Sequence, residues 1–180
     1  MNTLDLLDKR IASAFYGNFP TLRPAQEAAI EPLILGKNLV LSSGTGSGKT
    51  EAVMAPLISR YWRQAIGSDA LTILYIAPTK ALVNDLETRL SLVLQKIRFR
   101  VGIRHGDRDD LKSALKPHIL ITTPESLDVL LFRKDSALAN IQAVVIDEVH
   151  LLYNTQRGLQ LSVLIQRLKQ KIEHPLQQKC

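Results

Sequence analysis

This 180-residue chain predicts an α/β domain whose mostly parallel sheet carries helices on both faces, and three observations support that reading. Five short apolar runs recur along it: NLVLS (38–42), LTILYIA (71–77), FRVGI (99–103), HILIT (118–122) and AVVIDE (143–148). Their near-continuous apolarity suits strands buried on both faces. Helical patterns separate them, and strand–helix alternation is what a crossover-connected parallel sheet requires. The composition, 46% hydrophobic and 22% charged, is that of one ordinary domain with room for a sizeable core.

The elements follow in order. Leu4, Leu7, Ile11, Ala14 and Phe15 recur at helical spacing, so an amphipathic helix opens the chain. GNFPTLRP breaks it, and a second helix runs from about Pro24 toward Gly36, where glycine can close it. Further helices are predicted near 49–63, 79–95, 107–115, 125–132 and 158–172; the last places Leu161, Leu164, Ile165 and Leu168 on one face. Pro56 lies inside the first of these and should kink it or offset its start. Loops are predicted at 64–70, 105–110 and 133–140.

Twenty-three Lys and Arg against seventeen Asp and Glu leave a formal charge of +6, a balance compatible with an anionic partner such as nucleic acid. Solvated lysines produce the same balance, so charge alone does not choose. The single cysteine, Cys180, excludes an intrachain disulfide and fits a reducing cytoplasm. No apolar run approaches a membrane span, and the opening MNTLDLLDKR lacks the basic head and apolar stretch of a signal peptide.

SGTGSGKT (43–50) follows one apolar run and opens a helix. Gly48, Lys49 and Thr50 fit the phosphate-loop pattern, with Ser43 where the strict form has its first glycine. Glycines at 44, 46 and 48 let the backbone wrap closely, so that N–H groups around Thr45 and Ser47 can point at phosphate oxygens. The helix that follows adds unpaired N–H groups and a partial positive charge. Lys49 can reach the β- and γ-phosphates of a nucleotide, and the Thr50 hydroxyl can ligate magnesium. The alternatives are a flexible glycine–serine loop, which the flanking strand and helix disfavour, and a dinucleotide fingerprint, which fails because Lys49 stands at its third glycine.

AVVIDEVH places Asp147 and Glu148 at a strand end, where ligands bind in open α/β sheets. Asp147 would hold magnesium through water, and Glu148 would orient and deprotonate an attacking water. Without the phosphate loop the pair would read as an exposed acidic turn; the loop supplies the ion that needs a second anchor. His150, just beyond, reads equally as a local turn residue.

Together these residues resemble the first motor domain of a superfamily 2 DEAD/DEAH-box-type helicase. SGTGSGKT is similar to that group's first motif, APTKALVND (77–85) to motif Ia, TTPESLD (122–128) to motif Ib, and DEVH (147–150) to motif II. LRPAQEAAI (22–30) resembles the glutamine motif ahead of the phosphate loop, in which Gln26 would read adenine, with Phe19 near the base. PTKAL, TTPESL and the Arg157–Gly158 pair look closest to large helicase-related and Ski2-like proteins. The resemblance implies a RecA-like fold, ATP with Mg2+, and single-stranded RNA or DNA lying across the domain. Lys80, Thr123 and Glu125, with backbone N–H groups near Pro78 and Pro124, would contact that strand, and His150 would couple it to the nucleotide. RHGDR (104–108) could add basic contacts, although a solvated charge explains Lys80 or Arg104 alone equally well.

The family pattern continues with a Ser-Ala-Thr motif, ending a strand between those of SGTGSGKT and DEVH, and then with a second RecA-like lobe bearing arginine fingers. Residues 151–180 contain no Ser-Ala-Thr, so the expectation is a single partial domain, 1–180, lacking that central strand and the second lobe. Isolated, it should bind ATP weakly and hydrolyse it barely, since such a finger contributes roughly a thousandfold or more to turnover. Two readings remain: the first motor domain of a helicase or translocase, or a non-catalytic nucleotide- or nucleic-acid-binding module. A small-molecule kinase is weaker, because no arginine-rich lid segment is visible.

Overall fold

Residues 2–44, 46–106, 108–151, 154–172 and 177–179 are described by the structure, a computed structural model. Four parallel strands form the centre of the sheet: β1 (Ile73–Ile76), β2 (Val101–His105), β4 (Ile119–Thr122) and β5 (Ala143–Ile146). With the short strands β3 (Arg108–Asp109) and β6 (Gln177–Lys179), the sheet order is β3-β2-β4-β1-β5-β6. Among the described residues only the β2–β3 pair is antiparallel. In β1, Tyr75 pairs with Ile121 of β4 on one side and Val145 of β5 on the other.

Successive side chains of these strands enter two separate cores. Ile73, Tyr75, Ile119, Ile121, Ala143 and Val145 face one helical layer. That layer comprises α1 (Lys9–Tyr16), α2 (Pro24–Ile34), α3 (Lys49–Ser68) and α4 (Lys80–Leu94). Leu74, Ile76, Leu120 and Val144 face the other, formed by α5 (Pro124–Phe132) and α6 (Gln156–Lys171). Alternation therefore exists, but both faces are apolar, which is why the strands read as unbroken hydrophobic runs.

Hydroxyl and carboxylate caps fix where the helices start. Asp8, Thr79, Thr123 and Thr155 each accept from a backbone N–H in the first turn of α1, α4, α5 and α6 respectively. The first predicted helix is thereby divided: a short 3-10 turn at Thr3–Leu6 precedes α1. Helix α3 runs through Pro56 to Ser68, absorbing most of the predicted loop at 64–70.

Two expectations fail. The segment 107–115 is not an α-helix: Arg108 and Asp109 form β3 against β2, Asp110 accepts from the Ile103 backbone N–H at 2.8 Å, and only a 3-10 turn at Asp110–Lys112 is helical. Asp107 itself lies outside the described residues. Nor is 38–42 a strand in the sheet; only Leu39 makes an isolated bridge. A strand needs a ladder partner, and this segment pairs at one residue only, with Val40 75% exposed. β6 itself amends the expectation of a wholly missing strand, because it pairs parallel to the outer edge of β5, Ala143 opposite Gln177.

Candidate nucleotide site and nucleic-acid face

The phosphate loop enters α3 through Gly48, whose φ of 76° is left-handed. A Cβ there would also stand 2.4 Å from Gln26 Nε2, so the left-handed backbone demands glycine and any side chain would displace the Gln26 amide. Gln26, buried on α2, accepts from the Arg23 N–H through Oε1 at 3.0 Å and lays its amide against the loop. Within the loop, Ser43 and Ser47 share a 2.6 Å hydroxyl hydrogen bond. Lys49 Nζ donates to the Ser43 and Gly44 carbonyls at 2.8 and 3.0 Å, which holds its charge over the turn. Thr45 lies outside the described residues.

Across the cleft, the β5 strand ends at Ile146, and the Asp147 N–H still bonds to Ile76 O at 2.9 Å. Both Asp147 carboxylate oxygens are held: Oδ1 accepts from the Glu148 N–H at 2.9 Å and Oδ2 from the Tyr75 hydroxyl at 2.9 Å. Glu148 has a left-handed φ of 48°, uncommon for a residue with a side chain and costing on the order of 1 kcal/mol or more. That turn aims its carboxylate out of the strand, where His150 Nδ1 lies 3.2 Å from Oε2.

One cavity of about 650 Å3 collects these groups. Gly46, Ser47, Gly48, Lys49 and Thr50 line one wall, Asp147 and Glu148 the other, with Phe19, Arg23 and Gln26 at one end. The donor set is hard: a threonine hydroxyl and carboxylate oxygens, the kind magnesium takes alongside waters and phosphate oxygens. Among the described residues no group of three or more His, Cys, Asp or Glu could hold a metal alone, so phosphate would have to share the ion. Arg89, which sequence reasoning missed, also lines the cavity and pairs with Glu51 and Asp85 at 3.4 and 3.3 Å. It sits on α4 among residues that read as an ordinary solvated helix face, so spacing alone carried no signal. Tyr75 was missed likewise, inside a run that read simply as buried strand.

The residues assigned to nucleic acid follow the carboxyl ends of β1 and β4. Lys80 opens α4, exposed, with its ammonium against Gly106. Thr123 is almost buried and spends its hydroxyl capping α5. The Glu125 carboxylate meets Arg157 Nε at 2.8 Å, and Arg157 Nη2 also donates to Pro78 O at 2.6 Å. Burial, the largest single effect, pushes the Glu125 carboxyl up, but its hydrogen bonds to the backbone, Arg157 and Thr123 together hold it below its ordinary value. Arg104 and Arg108 offer no free basic contacts, contrary to the reading of RHGDR. Arg104 is buried and paired with Asp109 at 3.3 Å, and Arg108 is paired with Glu87 and Asp110 at 3.4 and 3.1 Å. Among the described residues no helix is long and apolar enough to cross a membrane.

A glycine-wrapped turn opening α3, facing carboxylates at the end of a parallel strand, defines a phosphate-loop α/β domain of the RecA-like type. Within that class the chain belongs to the DEAD/DEAH box helicase family, whose profile matches residues 23–179. It is 36% identical over 186 residues to the ATP-dependent helicase Lhr-Core of Methanothermobacter thermautotrophicus, covering 91% of this chain and 21% of that protein. The structure of Mycobacterium smegmatis helicase Lhr bound to ssDNA and AMP-PNP matches with a TM-score of 0.88 at 31% identity, over 99% of this chain and 25% of that one. The DEAD-box helicase Mss116 bound to ssRNA and UDP-BeF matches with a TM-score of 0.87 over 98% of this chain and 40% of that one. At 22% identity the Mss116 likeness concerns the fold. The chain thus spans 21% to 25% of the two Lhr relatives' length.

Proposed function

We propose that this chain acts as the first motor domain of an ATP-dependent nucleic-acid helicase or translocase. The observation that carries the reading is the cavity shared by Lys49, Thr50, Asp147 and Glu148, residues brought together from opposite ends of the sequence. Backbone N–H groups of 46–50 and the Lys49 ammonium would bind the nucleotide phosphates, while Gln26 and Phe19 would border the base. Thr50 and Asp147 would hold Mg2+, which when bound neutralises phosphate charge. Glu148 would orient a water and accept its proton; His150, against Glu148, would relay the state of that site. The helix N-termini of α4 and α5 and the Lys80 ammonium would hold the sugar–phosphate backbone of a single strand, giving position without sequence. On this reading Thr123 and Glu125 act at that face by shaping the α5 terminus. A second lobe, expected from the family pattern, would add the arginine needed for turnover.

The test is single-strand binding by the purified chain, read by fluorescence anisotropy with and without Mg–AMP-PNP, for RNA and DNA of several sequences. Binding that weakens with salt, ignores sequence, and strengthens with nucleotide supports a motor domain. Binding indifferent to nucleotide favours the non-catalytic module, and salt-resistant, base-specific binding contradicts backbone tracking.

A further inference from the structure

Tyr75 stands mid-sheet in β1, 2% exposed, and its phenol oxygen is the only polar atom its side chain brings to that depth. A buried hydroxyl needs a partner, and the phenol's single proton goes to Asp147 Oδ2 at 2.9 Å.

We propose that Tyr75 is a positioning residue for the magnesium ion: its buried phenol fixes the Asp147 carboxylate in place before any ion arrives. The inference rests on the nucleotide site proposed above. It follows from how lone pairs are used. Asp147 has one oxygen on the Glu148 N–H and the other on Tyr75, so its plane cannot rotate. Its remaining lone pairs are left for metal-bound waters. Burial first, and then the Asp147 charge, push the phenol well above its ordinary value, so it stays a donor throughout the working range. Ile121 and Val145, its cross-strand neighbours, clamp the same stretch of β1 from both sides.

Tyr75→Phe removes one oxygen and keeps the ring. The measurement is binding of a fluorescent ATP analogue to the full chain, titrated with free Mg2+, together with the same binding in EDTA and the melting temperature without metal. The expected result is a rise of about tenfold in the Mg2+ concentration at half-saturation, with the EDTA affinity unchanged; this corresponds to about 1.4 kcal/mol. Tyr75→His, which keeps a ring-borne donor, should recover part of the shift. An unmoved Mg2+ midpoint overturns the proposal, as does an equal loss in EDTA. A variant that only melts earlier, or fails to fold, assigns the phenol to the fold instead and overturns it too. If the wild-type chain shows no Mg2+-dependent nucleotide binding, the nucleotide site itself fails, a result distinguishable from all of these.

Discussion

The proposed nucleotide cleft and the proposed nucleic-acid surface both lie where strands end at their carboxyl side, yet they use their polar groups differently. In the cleft, Lys49, Thr50, Asp147 and Glu148 converge on one cavity. On the proposed nucleic-acid surface, charged side chains pair with one another: Glu125 with Arg157, Arg104 with Asp109, Arg108 with Glu87 and Asp110. Lys80 stands exposed there at the start of α4. A site that must distinguish charge states of a nucleotide commits side chains; a surface that slides along a repeating phosphate backbone can rely on N–H groups and helix ends.

The comparison can be broken most directly at Lys49. Lys49→Ala should lower affinity for a triphosphate by about a hundredfold, as expected for loss of a charge-assisted contact, while the single-strand affinity measured without nucleotide stays within about twofold. Equal losses on both faces would erase the distinction. Next in size, Glu148→Gln should retain nucleotide binding and lose about a hundredfold or more in hydrolysis, assayed with the second lobe joined to the chain. Arg104→Met, on the other face, should act on stability instead. Leaving Asp109 poorly paired costs about 3 kcal/mol in urea unfolding, with nucleotide affinity unchanged. Arg157→Ala should weaken single-strand binding by several-fold without altering nucleotide binding, because it frees the Pro78 loop and the α5 terminus together.

The smallest expected effect is of pH. His118 is buried beneath Phe99, its Nδ1 accepting from the Arg100 N–H at 3.1 Å. Burial chiefly, and then the Arg100 charge, hold its imidazole below the usual value of 6.5 despite the opposing Asp69 carboxylate. The unfolded chain therefore binds the proton first. Stability falls as pH drops below about 6.5 and stops falling, for this group, below the lowered folded value. Melting temperatures of wild type and His118→Phe between pH 7 and 5 should converge as pH falls.

The phosphate loop was legible because its chemistry is local: glycines, lysine and threonine within eight residues, between an apolar run and a helical pattern. The core strands were legible because both faces are covered. The strand at 38–42 was misread because its apolarity signals burial in a sheet, whereas Val40 is 75% exposed and only Leu39 makes a bridge. The helix at 107–115 was misread because Asp110 uses its carboxylate on Ile103, a non-local bond that spacing does not reveal. Tyr75, the Arg89–Glu51 pair and the Arg157 contacts were invisible for the same reason: Asp147, Glu51, Glu125 and Pro78 lie far away in sequence and meet their partners only in the fold.

The central claim is that the glycine turn and the DEVH carboxylates serve one ion and one nucleotide. A double-mutant cycle on nucleotide binding, Thr50→Ala against Asp147→Ala, run in Mg2+ and again in EDTA, addresses it most directly. A shared ion predicts a coupling of about 1 kcal/mol or more in Mg2+ that disappears in EDTA. Additive losses in Mg2+, or a coupling that persists without metal, would contradict it.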